Sequence, residues 1–443
     1  MKRRVLAAVL LVAVCGVAFS YYRYHITPAE IEKAPIYVIG LDGASWNLID
    51  PLMKQGKLPN LRKLRENGVW AALASDYPAH SAFLWTSIAT GKKKEKHGIG
   101  DFTVKQGESE APSTGNLRRV KAFWNMLSER NIPVSVVNWW VTWPAEKVNG
   151  VMVSDRYRMA RFRQFNEDVT YPTGLKDQLP FPVISKDRAY REWKEYHLPE
   201  LYDVTNDGRI TAFDKALKAY PTYWCQDAAV WQASQYVLKH HPAKVFAVVF
   251  RIVDISSHFF WCYLPPKILE TARKKESEGK FTQADRELID GEFAKIIEPI
   301  YSYQDKIIGE VMKSAPPGST FVIVSDHGFG FHKGSYTHTT QRVPPKGILI
   351  LSGGPYQRNY ELKDATIYDV TPTLLYQLHL PVATDFDGVA LTNAFRAQFR
   401  SDHQLAKIAT WETGKPKTDQ KPIPSGTDQE TLDDLKALGY IQN

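Results

Sequence analysis

Cysteine is scarce: the chain has three in 443 residues, and one of them, Cys15, sits in an N-terminal apolar run. The other two, Cys225 and Cys262, form no Cys-x-x-Cys, which excludes a structural zinc knuckle. They would serve as one disulfide in an oxidising compartment, and equally as two separate thiols. Excess charge is also modest. The formal charge of +8 falls to +5 without the three charges of Lys2, Arg3 and Arg4. So mild an excess suits an anionic substrate or an anionic membrane face, and no nucleic-acid partner is expected. No internal repeat appears, so the chain is not a solenoid.

What is present is a folded-protein composition rich in aromatics, with 12 Trp and 22 Tyr, enough for large apolar or stacking surfaces. The N-terminus, MKRRVLAAVLLVAVCGVAFSYYRYH, has a basic start, an apolar run from Val5 to Phe19 and the small-x-small triplet Ala18-Phe19-Ser20. Residues 1–26 read equally as a cleaved signal peptide or an uncleaved membrane anchor, and either places the body outside the cytoplasm, periplasmic or secreted. Cys15 lacks the small residue before it that a lipoprotein signal needs.

Strand and helix then alternate. PIYVIGLDG (35–43), PVSVVNWW, KVFAVVFRIVD (244–254), STFVIVSDHG (319–328) and GILILSGG read as buried strands. Residues 59–69, 121–131, roughly 281–314, and IYDVTPTLLYQL read as helices. This order implies an α/β fold with a mostly parallel sheet and helices on both faces. Residues 35–154 and 243–400 form two parts of the core. Residues 155–242, rich in Arg, Tyr, Trp and Asp, read as an inserted cap. Residues 401–443 read as a polar linker ending in an amphipathic helix, LDDLKALGYI, that docks back.

The strand ends carry the chemistry. The first ends in Asp42, another in Asp254 with His258 four residues on, and another in Asp326-His327, with His338 following in YTHTTQRVP. Ligands of open α/β sheets bind beyond the carboxyl ends of the strands. Three Asp and three His can therefore converge there, too many for one tetrahedral ion and the right number for two divalent ions. Zn²⁺ and Mn²⁺ both suit these donors. Ser81, in SDYPAHSAF, precedes a helical run. A hydroxyl at a helix N-terminus beside a metal ion can attack phosphorus.

Together the motifs GLDGASW, SAFLWTSIATGKKKEKHGI (81–99), DISSH, SDHGF, THTT…P and DVTPTLLYQLHLPVATDFDG resemble the alkaline phosphatase superfamily, in its type I phosphodiesterase/nucleotide pyrophosphatase branch. The resemblance is strongest to its bacterial predicted phosphohydrolases or phosphomutases. It covers residues 35–155 and 243–395. It implies an alkaline-phosphatase-like three-layer sandwich, one ion held by Asp254, His258 and His338, and another by Asp42, Asp326, His327 and the Ser81 oxygen. It implies attack by Ser81, a covalent phosphoserine, and hydrolysis by water. The substrate would be a small phosphate ester or a lipid head group. One departure is Leu84, where the nucleotide pyrophosphatases carry a phosphate-binding Asn; Asn138, Thr142, Arg156 and Arg158 are candidates to replace it. A sulfatase is disfavoured because Ser81 is followed by AFLW. A phosphomonoesterase or phosphomutase is an alternative, and a catalytically weak binding protein on the same fold is a second.

Other features have plainer readings. DVTNDGRITAFD (203–214) places Asp203, Thr205, Asp207 and Asp214 at the spacing of a Ca²⁺ loop, but an Asp-Gly turn into a helix explains it better. Trp139, Trp140 and Trp143 read as core. His97 reads as packing, His80 as adjacent to the site, and His240, His241 and His379 as surface or helix-end residues. Lys92–Lys96 reads as a solvated basic face.

Overall fold

In a computed structural model, the described residues are 34–159, 167–180, 213–339, 341–414 and 420–441. A nine-stranded sheet runs through them. In chain order its strands are β1 (Ile36–Leu41), β2 (Gly68–Leu73), β3 (Val134–Val137), β4 (Gly150–Val153), β5 (Thr170–Tyr171), β6 (Val245–Phe250), β7 (Thr320–Val324), β8 (Gly347–Gly353) and β9 (Tyr360–Glu361). Their spatial order is β9-β2-β8-β7-β1-β6-β3-β4-β5. All point the same way except the edge strand β5 and β8, which runs antiparallel between β7 and β2. The apolar run GILILSGG thus gives a strand, as expected, but its direction was not readable from composition. The strand β2 also escaped sequence reading.

The helices that position the site are α1 (Trp46–Lys54), α2 (Pro59–Glu66), α3 (Ser81–Thr90), α4 (Phe123–Glu129), α5 (Phe213–His240), α6 (Ile252–Phe260), α7 (Gln283–Ser314), α8 (Val370–Gln377) and α9 (Asp428–Ala437). They form two layers because β1 alternates its side chains. Tyr37, Ile39 and Leu41 join one apolar cluster with α1, α2, α5, α6 and α7, while Ile36 and Val38 join another with α3, α4, α8 and Leu435 of α9. A strand buried on both faces must be apolar at every position, which explains the unbroken run IYVIGL. The architecture is the three-layer α/β sandwich that the sequence implied.

The structure bears on several expectations in detail. Strand β6 stops at Phe250, and Asp254 lies instead in the first turn of α6. Of residues 155–242, β5 extends the core sheet and α5 packs beneath it. The calcium-loop reading at Asp203, Thr205 and Asp207 lies outside the described residues, and Asp214 is described only as backbone at the start of α5. Cys225 and Cys262 are not joined to each other. Lys92 is not solvated: it is 2% exposed, its Nζ 2.8 Å from Asp385 and 3.1 Å from Glu412. Those carboxylates, distant in sequence, supply the partners that the lysine run alone does not reveal. Among the described residues no helix is long and apolar enough to cross a membrane.

Helix α3 is locked to β1 at one point. A Cβ on Gly40 would stand 2.4 Å from Trp85 Cη2 and 2.9 Å from Val249 Cγ2, so only glycine lets the α3 indole lie on the strand. Gly40→Ala should cost about 1–3 kcal/mol by overpacking. Gly291→Ala, in open space within α7, should be neutral or stabilising by up to ~1 kcal/mol. Denaturant midpoints of the two variants check this, and equal midpoints would refute the lock.

Candidate active site

Three neighbouring parallel strands, β7, β1 and β6, end level with one another. Gly40 pairs with Val249 on one side and Val324 on the other, and Asp42 N donates to Phe250 O at 2.9 Å. Asp42 follows β1, Asp326-His327 follows β7, and α6 starts two residues after β6. Helical spacing of four puts Asp254 and His258 on one face of α6, with Asp254 Oδ1 3.5 Å from His258 Nε2. A two-stranded hairpin, Gly330–His332 with Ser335–Thr337, then returns the chain to deliver His338.

Ser81 is the first residue of α3 and is fully buried. Its Oγ donates to Asp42 Oδ1 at 3.1 Å and lies 3.5 Å from His327 Nε2. The first intrahelical bonds are made by Phe83 and Leu84 to His80 O. The amides of Ser81 and Ala82 therefore lie at the positive end of the helix, where an oxyanion is favoured.

Two groups of donors lie within metal-sharing distance: Asp254, His327 and His338, and Asp42, Asp326 and His327. His338 joins His258 through facing Nε2 atoms 2.9 Å apart. Each group has the donors a divalent ion needs, and three observations fit such an ion. His338 Nδ1 donates to Ala79 O at 2.9 Å and His327 Nδ1 to Gly328 O at 3.1 Å, which leaves both Nε2 atoms as lone-pair donors. Both Nε2 atoms face Asp254 Oδ1, at 3.6 and 3.8 Å. Asp254 Oδ1 and Asp326 Oδ2 are buried without a hydrogen-bond partner, a costly arrangement unless a cation satisfies them.

The electrostatics agree. Burial, then the Asp254 charge, push Asp42 up to about 7. Burial and the neighbouring Asp42 and Asp254 carboxylates push Asp326 well above its usual range. Burial lowers His327 to about 4 and holds His338 well below its ordinary value, so both are neutral, as ligands must be. Asp254 resists the same burial because the His258 imidazole holds it low.

Sequence reasoning brought Asp42, Ser81, Asp254, His258, Asp326, His327 and His338 to one place, and the structure assembles them. It spends the phosphate-binding candidates elsewhere. Asn138 Nδ2 donates to Val249 O and Thr142 Oγ1 to Trp139 O. Arg156 donates to Thr431, and Arg158 to Gln226. Leu84 is buried in the apolar layer with Trp85 and Ile88. His80 faces Asp101 at 2.9 Å, and buried His97 bonds Ser87 at 3.0 Å.

Three neighbours were not foreseen. Trp140, read as core, donates its indole N–H to Asp42 Oδ2 at 2.7 Å. Arg251 lies over the Trp140 ring, 3.4 Å from its centroid. Tyr440 reaches Asp254 and His258. Trp139 and Trp143 are buried core, as expected. An indole N–H that must find a partner when buried was the available signal for Trp140; nothing local in sequence marks Arg251 or Tyr440.

The carboxylate shifts fix a pH dependence. An unfolded Asp titrates at about 4, whereas folded Asp42 holds its proton up to about 7. Between those values the metal-free folded state binds more protons, so its stability falls as pH rises through the window. Divalent ions displace those protons, so the increase in Tm on adding Zn²⁺ to chelator-stripped protein should grow over the same window. Trp140→Phe removes a bond that lowers Asp42 and should move that growth to higher pH. A pH-independent metal effect on Tm would contradict the assignment.

Comparison with known proteins bears on the fold and on the family. A 2-O GAG sulfatase, BT1596, matches with a TM-score of 0.50 at 12% identity, over 82% of this chain and 74% of that one. Human ectonucleotide pyrophosphatase/phosphodiesterase 5 matches with a TM-score of 0.46 at 10% identity, over 82% of this chain and 100% of that one. At such identity the sulfatase likeness bears on the fold alone. No curated protein matches the chain by sequence. The family model for type I phosphodiesterase / nucleotide pyrophosphatase matches residues 36–399, nearly the whole sandwich and every residue of the two metal-sharing groups. The chain therefore belongs to the type I phosphodiesterase / nucleotide pyrophosphatase family, a family of phosphoric-ester hydrolases.

Proposed function

We propose that this protein is an exported, two-metal-dependent phosphodiesterase that works through a phosphoserine on Ser81. The observation that carries the reading is the Ser81 hydroxyl, buried at a helix N-terminus, 3.1 Å from Asp42 and 3.5 Å from His327. Two divalent ions, Zn²⁺ or Mn²⁺, would be held by Asp254, His258 and His338 and by Asp42, Asp326, His327 and the Ser81 oxygen. Bound there, they would supply Lewis-acid stabilisation of the hydroxyl oxygen and of the ester oxygens.

The residues themselves do the rest. Asp42 orients the Ser81 Oγ lone pairs, and the Trp140 bond fixes the Asp42 carboxylate. Ser81 Oγ attacks phosphorus, the alcohol leaves, and water later cleaves the Ser81–phosphate ester. The α3 amides hold a non-bridging oxygen, a role that Leu84 cannot share. Phe102 stands 5.3 Å from Trp140 and 4.5 Å from Tyr440, ring to ring. This aromatic wall suits the second ester group of a diester, in a small phosphate ester or a lipid head group. The N-terminal leader supports export, as a signal or as an anchor in the membrane.

Purified protein reconstituted with Zn²⁺ or Mn²⁺ should hydrolyse bis-(p-nitrophenyl) phosphate faster than p-nitrophenyl phosphate. Ser81→Ala should lower turnover on the order of 10³-fold or more while still binding both ions. A monoester preference would instead indicate a phosphomonoesterase or phosphomutase. Ser81-independent turnover would sink the covalent route, and ion binding without turnover on either ester would favour a binding protein.

A further inference from the structure

The group formed by Asp254, His258 and His338 has a fourth polar neighbour, delivered from the other end of the chain. Helix α9 docks through charge and apolar contacts together. Arg156 Nη2 lies 3.9 Å from Asp428 Oδ1, and Arg158 Nη1 lies 3.9 Å from Asp434 Oδ2. Leu435 is buried against the α3 and α4 layer. Past the helix, Gly439 adopts φ +77°, a left-handed turn that glycine permits without strain. Tyr440 N then donates back to Leu435 O at 2.9 Å. The turn aims the Tyr440 ring inward, onto Phe102. Its hydroxyl donates to Asp254 Oδ2 and lies 3.0 Å from His258 Nε2.

We propose that the Tyr440 phenol oxygen is a fourth protein donor to the divalent ion that Asp254, His258 and His338 would hold. The inference rests on the two-metal reading above, whose implied ligand set contains no tyrosine. Two donors on a tetrahedral ion with bonds of about 2.1 Å stand roughly 3.4 Å apart. Four of the separations lie near that value, one of them to the phenol. His258 Nε2 lies 3.0 Å from the phenol, 2.9 Å from His338 Nε2 and 3.5 Å from Asp254 Oδ1, and Asp254 Oδ1 lies 3.6 Å from His338 Nε2. Oxygen and imidazole together suit Zn²⁺ or Mn²⁺. A tyrosine serving only as a wall would need its ring against Phe102, but not its oxygen 3.0 Å from His258 Nε2 and bonded to the carboxylate of Asp254.

Tyr440→Phe keeps the ring and removes the oxygen, so the fold survives the test. Full-length, chelator-stripped wild type and variant would be titrated with Zn²⁺ against a chromophoric chelator, and with Co²⁺ while the visible absorption is recorded. Both proteins should take up two ions. One of them should bind about 10-fold or more weakly in the variant, with an altered Co²⁺ spectrum. Two ions bound with unchanged affinity and spectrum would overturn the Tyr440 assignment alone. Fewer than two ions in the wild type would overturn the two-metal reading, and this inference with it.

Discussion

Three carboxylates that belong apart, Asp42, Asp254 and Asp326, are buried together just beyond the level ends of adjacent strands, Asp254 from the first turn of α6. Without a cation the arrangement is unfavourable: two carboxyls are driven toward their protonated forms, and two oxygens have no hydrogen-bond partner. The surrounding structure makes sense as a device for holding this repulsion in place. Backbone carbonyls fix the tautomers of His327 and His338, so that lone pairs, not protons, face the carboxylates. An indole N–H takes one oxygen of Asp42 and a buried guanidinium covers that indole. Each of these groups leaves the centre ready for positive charge without supplying all of it.

Precision in the nucleophile follows from packing of a different kind. Ser81 lies on a helix whose every residue is buried, and that helix rests on the strand that ends in Asp42. Hydroxyl and carboxylate are therefore held by regular elements in direct contact, the Trp85 ring lying over Gly40, and not by two independent loops. A site built on regular elements in this way is stiffer than one hung from connections.

Much of this was legible in sequence because it depends on local pattern. A strand buried on both faces is written as an unbroken apolar run, and its end is marked by the polar residue that follows, as at Asp42 and Asp326. Asp254 and His258 were read together from their spacing of four, although the helix that makes them partners was read as strand. What stayed hidden depends on the approach of distant segments. The direction of β8 is set by its neighbours, and the burial of Lys92 by Asp385 and Glu412. The polar role of Trp140 needs Asp42 across the sheet end. Arg156 and Arg158 looked like phosphate-binding candidates because their counter-charges, Asp428 and Asp434, lie more than 270 residues away. The docking of the last helix could be read from its amphipathic pattern, but the destination of Tyr440 could not.

His327 lies within metal-sharing distance of the partners of both donor groups, so its one imidazole stands at the boundary between them. The donors also hang from β1, α6, β7 and the hairpin beyond it, so a filled centre would join these elements into one cooperative unit. Partial openings that fray any one of them would have to release an ion. Metal content would then set how much of the sandwich exchanges its amide hydrogens through local motion, and how much only through complete unfolding.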